Sequence, residues 1–170
     1  FRDRGVDPVI LAVIRADLAS LTLFAVLSLF WPGRLRIERR DFWVAAAVGV
    51  GGLAIGNFFY FESMHMTSVA TALLLQYQAP ILVALYTVVI QRQRLRGQVV
   101  LGMALALLGC ALVVRAYDPA AFRLNLLGVA MGLGGAASFA FYILAGRAAL
   151  RRLDPWTFLA YAYLSAGLAW

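Results

Sequence analysis

Long apolar runs alternate with short polar connections along the chain, and the longest of them match the thickness of a membrane. Apolar residues extend from Pro8 to about Trp31, from about Phe42 to Phe61, from Ser68 to Ile90, from about Val99 to Val114, from about Leu124 to Ala145, and onward from Pro155. At a rise of about 1.5 Å per residue, a helix over Ser68 to Ile90 covers roughly 33 Å, enough to cross a hydrocarbon core of about 30 Å. The pattern predicts an all-α, polytopic membrane helix bundle. Asp7-Pro8 and Asp154-Pro155 each set an N-cap side chain before a proline at the first helical position, and Pro32-Gly33 stops the first run.

One stretch breaks the pattern. In the third run, Leu75-Gln76-Tyr77-Gln78-Ala79-Pro80 sets polar side chains and a proline among apolar neighbours, close to the expected membrane midplane. Proline donates no backbone N–H and crowds the carbonyl four residues back, here that of Gln76. Lipid cannot satisfy that carbonyl, so such a break survives where a neighbouring helix, water or a bound solute answers it. The stretch is therefore expected to face protein or a water-filled cavity. Gln76 and Pro80, four apart, share a helix face that Ala72, Ala84 and Thr87 extend, while Gln78 lies about 200° around from Gln76. Both glutamines cannot look into one cavity from a straight helix, and Gln76, beside the freed carbonyl, is the one expected there. The plainer alternative is a kink that serves packing alone, since proline is commoner in membrane helices than in soluble ones.

Composition agrees with the spans. Hydrophobic residues make up 64% of the chain and charged residues 14%, against about 45–50% and 25% in soluble domains. A net charge of +7 would suit nucleic acid, but the placement of charge speaks against it. All fifteen basic residues are arginine, set in tight clusters between apolar runs and not along a basic face with interleaved aromatics. Arg34, Arg36, Arg39 and Arg40 occupy the first connection, Arg92, Arg94 and Arg96 the third, and Arg147, Arg151 and Arg152 the fifth. Before the first run Arg2 and Arg4 are balanced by Asp3 and Asp7; Glu62 to Thr67 carries no arginine; the fourth connection has Arg115 and Arg123 with Asp118. The positive-inside rule makes the odd connections cytoplasmic. Cys110 is the one cysteine, so no internal disulfide or multi-cysteine metal site can form.

Small residues recur at four-residue spacing: Ala45 and Gly49 in one register, Gly52 and Gly56 in another, then Gly102, Ala106 and Cys110, then Gly128, Gly132, Ala136 and Ala140. Such ridges let helix backbones approach closely, and Cys110 belongs to one of them as a small packing residue. Gly134, Ser138 and Tyr142 fall roughly opposite the last ridge, on a side that can line a cavity. The two Asp-Pro pairs open runs five helices apart, so the helices they open run in opposite directions. That is the arrangement of an inverted repeat, which places a solute site near the midplane. The chain opens without methionine, and its last run stops at Trp170, as a fragment would.

FYFESMHMTSVATALLLQYQAP resembles the join between the third and fourth helices of the ten-helix EamA-type branch of the drug/metabolite transporter superfamily. Ser63-Met64 stands at its usual Ala-Leu, Thr67-Ser68 at the next helix start, and Pro80 at its fourth-helix proline. LRGQVVLGMALALLGCALVV is similar to its fifth helix, with Gly102 and Gly109 at its glycines, and Arg15 matches an arginine early in its second. The resemblance implies inverted five-helix repeats, with residues 1–118 the rest of the first repeat (helices two to five) and 119–170 the start of the second (helices six and seven). It implies a secondary carrier of the bacterial inner membrane, exporting amino acids, other metabolites or drugs. Gln93 stands where the family often has glutamate.

Asn57, Tyr60 and Phe61 form one helical stripe, Asn57 about 7 Å from the outer end of the second run. Asn57 either bonds to a neighbouring helix or contacts solute. Arg15 and Asp17 lie about 10 and 13 Å in from Pro8. They point to different sides; Arg15 reads as structural, and Asp17 is the candidate proton carrier. Glu62 and His65 are expected in the short outer connection as a solvated turn, with a gating role as the alternative. Enzyme motifs are missing: the chain has no H-E-x-x-H, G-x-S-x-G or P-loop, and its sole histidine has no cysteine partner. Neither a cofactor nor a metal is called for. The expected function is alternating access in a non-enzymatic carrier, Gln76, Tyr77 and the Pro80 kink facing Asn57, Tyr60, Ser138 and Tyr142 across a midplane cavity. Its partners are a small neutral or zwitterionic solute and membrane lipid, with proton coupling open and no nucleic acid. The alternative is a non-transporting membrane scaffold, which predicts outward-facing small ridges and a dry centre.

Overall fold

The computed structural model describes residues 8–31, 33, 37–113 and 126–169. Arg2, Asp3, Arg4, Asp7, Arg34, Arg36, Arg115, Asp118 and Arg123 lie outside the described residues, as do the side chains of Arg15 and Cys110. Every predicted run becomes a helix: α1 Pro8–Phe30, α2 Arg39–Met66, α3 Val69–Val89, α4 Gly97–Val113, α5 Leu126–Ala149 and α6 Pro155–Leu168. Among the described residues α2, α3 and α5 are long and apolar enough to cross a membrane, whereas the apolar stretches Asp17–Phe30 and Gly97–Gly109 are shorter. The chain is an all-α, polytopic membrane helix bundle.

Helix ends depart from the pattern at α2. It continues to Met66, so Glu62 and His65 sit in its final turns and not in a connection. Hydropathy falls at Glu62, but nothing from there to Met66 disfavours helix. α2 stops where Ser68 turns extended (φ −147°, ψ 160°). Thr67 returns both its N–H (2.9 Å) and its hydroxyl (2.6 Å) to the Ser63 carbonyl, and Ser68 caps α3 by accepting the Thr71 N–H at 3.1 Å. In the same way α5 takes Arg147 into its last turn. At the end of α3, Arg92 adopts φ 52° and the Gln93 N–H closes on the Thr87 carbonyl at 3.1 Å. The left-handed residue turns the chain back over the end of α3 and leaves the Gln93 side chain exposed.

Two compact units make up the chain, residues 1–57 with 141–170, and residues 58–140. In the first, α1 and the N-terminal part of α2 both pack on α6. Asp154 caps α6 by accepting the Trp156 N–H at 3.2 Å, as its Asp-Pro signature predicts. The core is Ala45, Val48, Ala149, Phe158 and Ala162, in which three alanines let the helix axes come close around the Phe158 ring. Tyr161 of α6 receives Phe24 of α1 and Phe42 of α2 edge-on, at 5.1 and 5.7 Å between ring centres. Within α2, Gly49–Ala54 forms a π-helical segment. Its glycines admit close neighbours: a Cβ on Gly49 would meet Ser165 Oγ at 2.7 Å, and one on Gly52 would meet Tyr142 Cβ at 2.6 Å. The π turn joins the two small-residue registers, and Ala45, Gly49, Gly52 and Gly56 are all buried.

The second unit forms around the ridge on α5. Gly128, Gly132, Ala136 and Ala140 are buried. Ser63, fully buried on α2, donates its hydroxyl to the Gly128 carbonyl at 2.7 Å. A hydrogen bond between membrane helices is worth about 0.6–2 kcal/mol. A Cβ on Gly132 would come within 2.8 Å of both Leu75 Cβ and Ser63 Oγ. Gly132→Ala is therefore expected to destabilise by about 1–3 kcal/mol through overpacking. Gly102→Ala on α4, where nothing lies within 4 Å, is expected to be neutral or to gain up to about 1 kcal/mol in helix propensity. Thermal midpoints of the two variants in detergent check the contrast.

Candidate functional site

The site is built on the interruption of α3, which divides it into Val69–Gln76 and Ala79–Val89. Pro80 has no N–H for the Gln76 carbonyl. The Ile81 N–H, which a regular helix would deliver to Tyr77, goes instead to the Gln78 carbonyl at 2.9 Å. The carbonyls of Gln76 and Tyr77 therefore lose their ordinary helical donors, one after the other, in the middle of an apolar span. The Gln78 N–H also moves, bonding to the Leu75 carbonyl at 3.1 Å. The Leu74 carbonyl that it leaves behind is taken by the side-chain amide of Gln78 at 3.3 Å. Backbone torsions show the same turn, with ψ at 0° for Tyr77 and −13° for Gln78, against about −42° in a helix.

The two glutamines thus differ in what they offer. Gln78 is committed to its own helix, whereas the half-buried Gln76 carboxamide has no hydrogen-bond partner among the described residues. Tyr77 is 54% exposed, and Tyr60, on α2 in the same unit, is half-buried. Tyr77 and Pro80 also line an apolar cavity of about 630 Å³ with Leu73 and Ile81 of α3. Gln76 does not line it. The facing wall is α4, through Val99, Gly102, Met103, Ala106, Leu107 and Gly109. Sequence reasoning placed Gly102 and Ala106 in a packing ridge and so missed this wall. In the structure nothing lies within 4 Å of a Cβ at Gly102 or Gly109, and the ridge is open.

Other expected residues are placed as follows. Ser138, on the α5 side opposite the buried ridge, is half-buried and unbonded among the described residues. Gly134 on that side packs on the Phe59 ring, where a Cβ would sit 3.3 Å from three ring carbons. Asn57 and Tyr142 belong to the first unit. Asn57 is half-buried without a described partner, while Tyr142 packs on Gly52 and on the Phe158 ring, 6.4 Å away. Asp17 is exposed on α1, in no ion pair with a described residue, and its carboxylate lies against buried Gly167 of α6. Glu62 is half-buried and His65 exposed, both within α2. No group of three or more metal-ligating side chains occurs among the described residues.

The model of the EamA-like transporter family matches residues 3–115, a stretch that carries α1 to α4 and the broken α3 between them. No curated protein and no solved structure matches the chain. With that match over well more than half of its length, and with its apolar spans, this helical membrane chain belongs to the EamA-like transporter family, membrane transporters of the drug/metabolite superfamily.

Proposed function

We propose that the protein is a secondary carrier of the bacterial inner membrane that exports small neutral or zwitterionic metabolites, amino acids or drugs among them, by alternating access. The observation that carries the reading is the break in α3. It sets the open carbonyls of Gln76 and Tyr77 beside an unpartnered carboxamide, within a helix long enough to cross the membrane. Open carbonyls accept from an ammonium or amide N–H; the Gln76 amide and the Tyr77 and Tyr60 hydroxyls can donate to a carboxylate. Ser138 adds a hydroxyl in the same unit. An apolar side chain or ring on the solute finds room against Pro80 and Tyr77 in the neighbouring cavity. Unwound backbone at a broken membrane helix is a recurrent way of holding such solutes. None of these groups would serve acid–base chemistry well, which agrees with a family of transporters and not of enzymes. Asp17, accessible and unpaired on α1, remains the proposed proton carrier, with Glu62 and His65 as gating groups.

A second reading is favoured by one observation. Nothing lies within 4 Å of a Cβ at Gly102 or Gly109 of α4, and a scaffold would leave such small residues free to receive a partner protein's helix. Wetness of the α3 break separates the two.

With Cys110 replaced, a cysteine at position 76 in the intact protein is expected to react with a membrane-impermeant thiol reagent and to be protected by amino acids. Absence of reaction in either orientation of the vesicles favours the scaffold. Pro80→Ala restores the missing N–H and straightens α3. It is expected to lower the transport rate about ten-fold or more, equivalent to roughly 1.4 kcal/mol in the barrier, with little loss of folded protein. Wild-type flux from well-expressed Pro80→Ala protein would show that the break is not used.

A further inference from the structure

We propose that Gln78 is the positioning residue of this site: by holding the Leu74 carbonyl with its own side chain, it keeps α3 broken and so sets the direction in which Gln76 and Tyr77 present their polar atoms. The proposal rests on reading the break as the solute site. It starts from a choice open to one carbonyl. The Leu74 oxygen can be satisfied by the Gln78 backbone N–H, which makes a regular helical turn, or by the Gln78 carboxamide, which leaves that N–H free to bond elsewhere. The structure takes the second route, with Nε2 at 3.3 Å from the Leu74 oxygen and the N–H at 3.1 Å from the Leu75 oxygen.

Within a bilayer the choice is sharp, because a backbone carbonyl left without a donor has no water to turn to. Pro80 by itself removes the bond to Gln76; it does nothing for Leu74. The turn at Tyr77 and Gln78 therefore persists only while a second donor reaches back one turn to Leu74. A glutamine does this without bringing a charge into the membrane, and its two methylenes span the distance. If that donor is removed, the Leu74 carbonyl recovers a partner only when the Gln78 N–H swings back to it. Tyr77 and Gln78 then move from ψ of 0° and −13° toward about −42°, and Val69–Gln76 turns relative to Ala79–Val89. Gln76 is not needed by the backbone in this way, and its carboxamide is left for solute.

The test uses the intact protein in lipid nanodiscs, labelled with ¹⁵N-glutamine, the Gln78 side-chain signal being assigned by its loss in Gln78→Met. One Gln78 carboxamide proton is expected to exchange with water at least ten-fold more slowly than those of Gln76. Equal exchange at the two residues overturns the proposal. In a second measurement, Gln78→Met, of nearly the same length but without a donor, is combined with single cysteines at 76 and 77. A ten-fold change in thiol reaction rate at either position, with a ten-fold rise in KM for a protecting amino acid, is the expected outcome. A lowered thermal midpoint with unchanged labelling and KM means that Gln78 only stabilises the helix, and overturns it. If neither position labels even with Gln78 intact, the solute-site reading fails first. A protected Gln78 proton then reports a fixed packing kink, which also overturns the positioning role.

Discussion

Backbone hydrogen bonding in a medium without water is the constraint on which this molecule depends. Each carbonyl in a membrane helix must find its donor within the protein, so any departure from regular helix has to be answered locally. Among the described residues two helices depart from regular bonding within their length. In α2 the segment Gly49–Ala54 shifts to π-helical bonding, with the Ile55 N–H returning to the Val50 carbonyl as the helix changes its register. In α3 the break at Tyr77-Gln78 is answered in part by a side chain, because Gln78 holds the Leu74 carbonyl. The Gln76 and Tyr77 carbonyls are left over.

Packing supplies the rest of the order, and it does so with small residues. Without a hydrophobic drive between helices in lipid, close approach of backbones has to provide the contact energy. Ala45, Ala149 and Ala162 bring α2, α5 and α6 together in the first unit. In the second, Gly128 and Gly132 admit Thr67, Ser63 and Leu75 where a side chain would collide. Ser63 shows how one atom changes such a contact. The family pattern has alanine there, and the added hydroxyl spends itself on the Gly128 carbonyl, tying α2 to α5 at the point where the glycine allows it. The α4 ridge has the same composition and no such neighbour, so its glycines open onto a cavity.

This division of labour makes sense of the polar residues. Tyr142 looks on paper like a solute contact, but its ring lies between Gly52 and Phe158. Gln76 and Gln78 look alike in composition, and their roles separate through the backbone bond that one of them replaces. A carrier in this family has to keep a few polar groups unspent within an apolar span, and the surrounding side chains must be satisfied among themselves for that to be stable.

Several features were legible in the residues alone. Run lengths, composition and arginine clusters led to a polytopic helical membrane protein, the resemblance to the EamA family to a transporter, Asp154-Pro155 marked a helix cap, and Pro80 located the break. These follow from local rules: bilayer thickness, the missing proline N–H and N-cap preference act within a turn or two of chain. Other features needed the fold. The end of α2 beyond Glu62 and His65 is decided by Ser68, which turns extended to cap the next helix, and a fall in hydropathy cannot show that. The π segment, and which small ridge is buried, depend on which helix lies alongside, and helical spacing defines a face without naming its neighbour. The roles of Gln76 and Gln78 turn on where one backbone N–H points. That direction is set by torsions at Tyr77 and Gln78, and only the tertiary structure decided it.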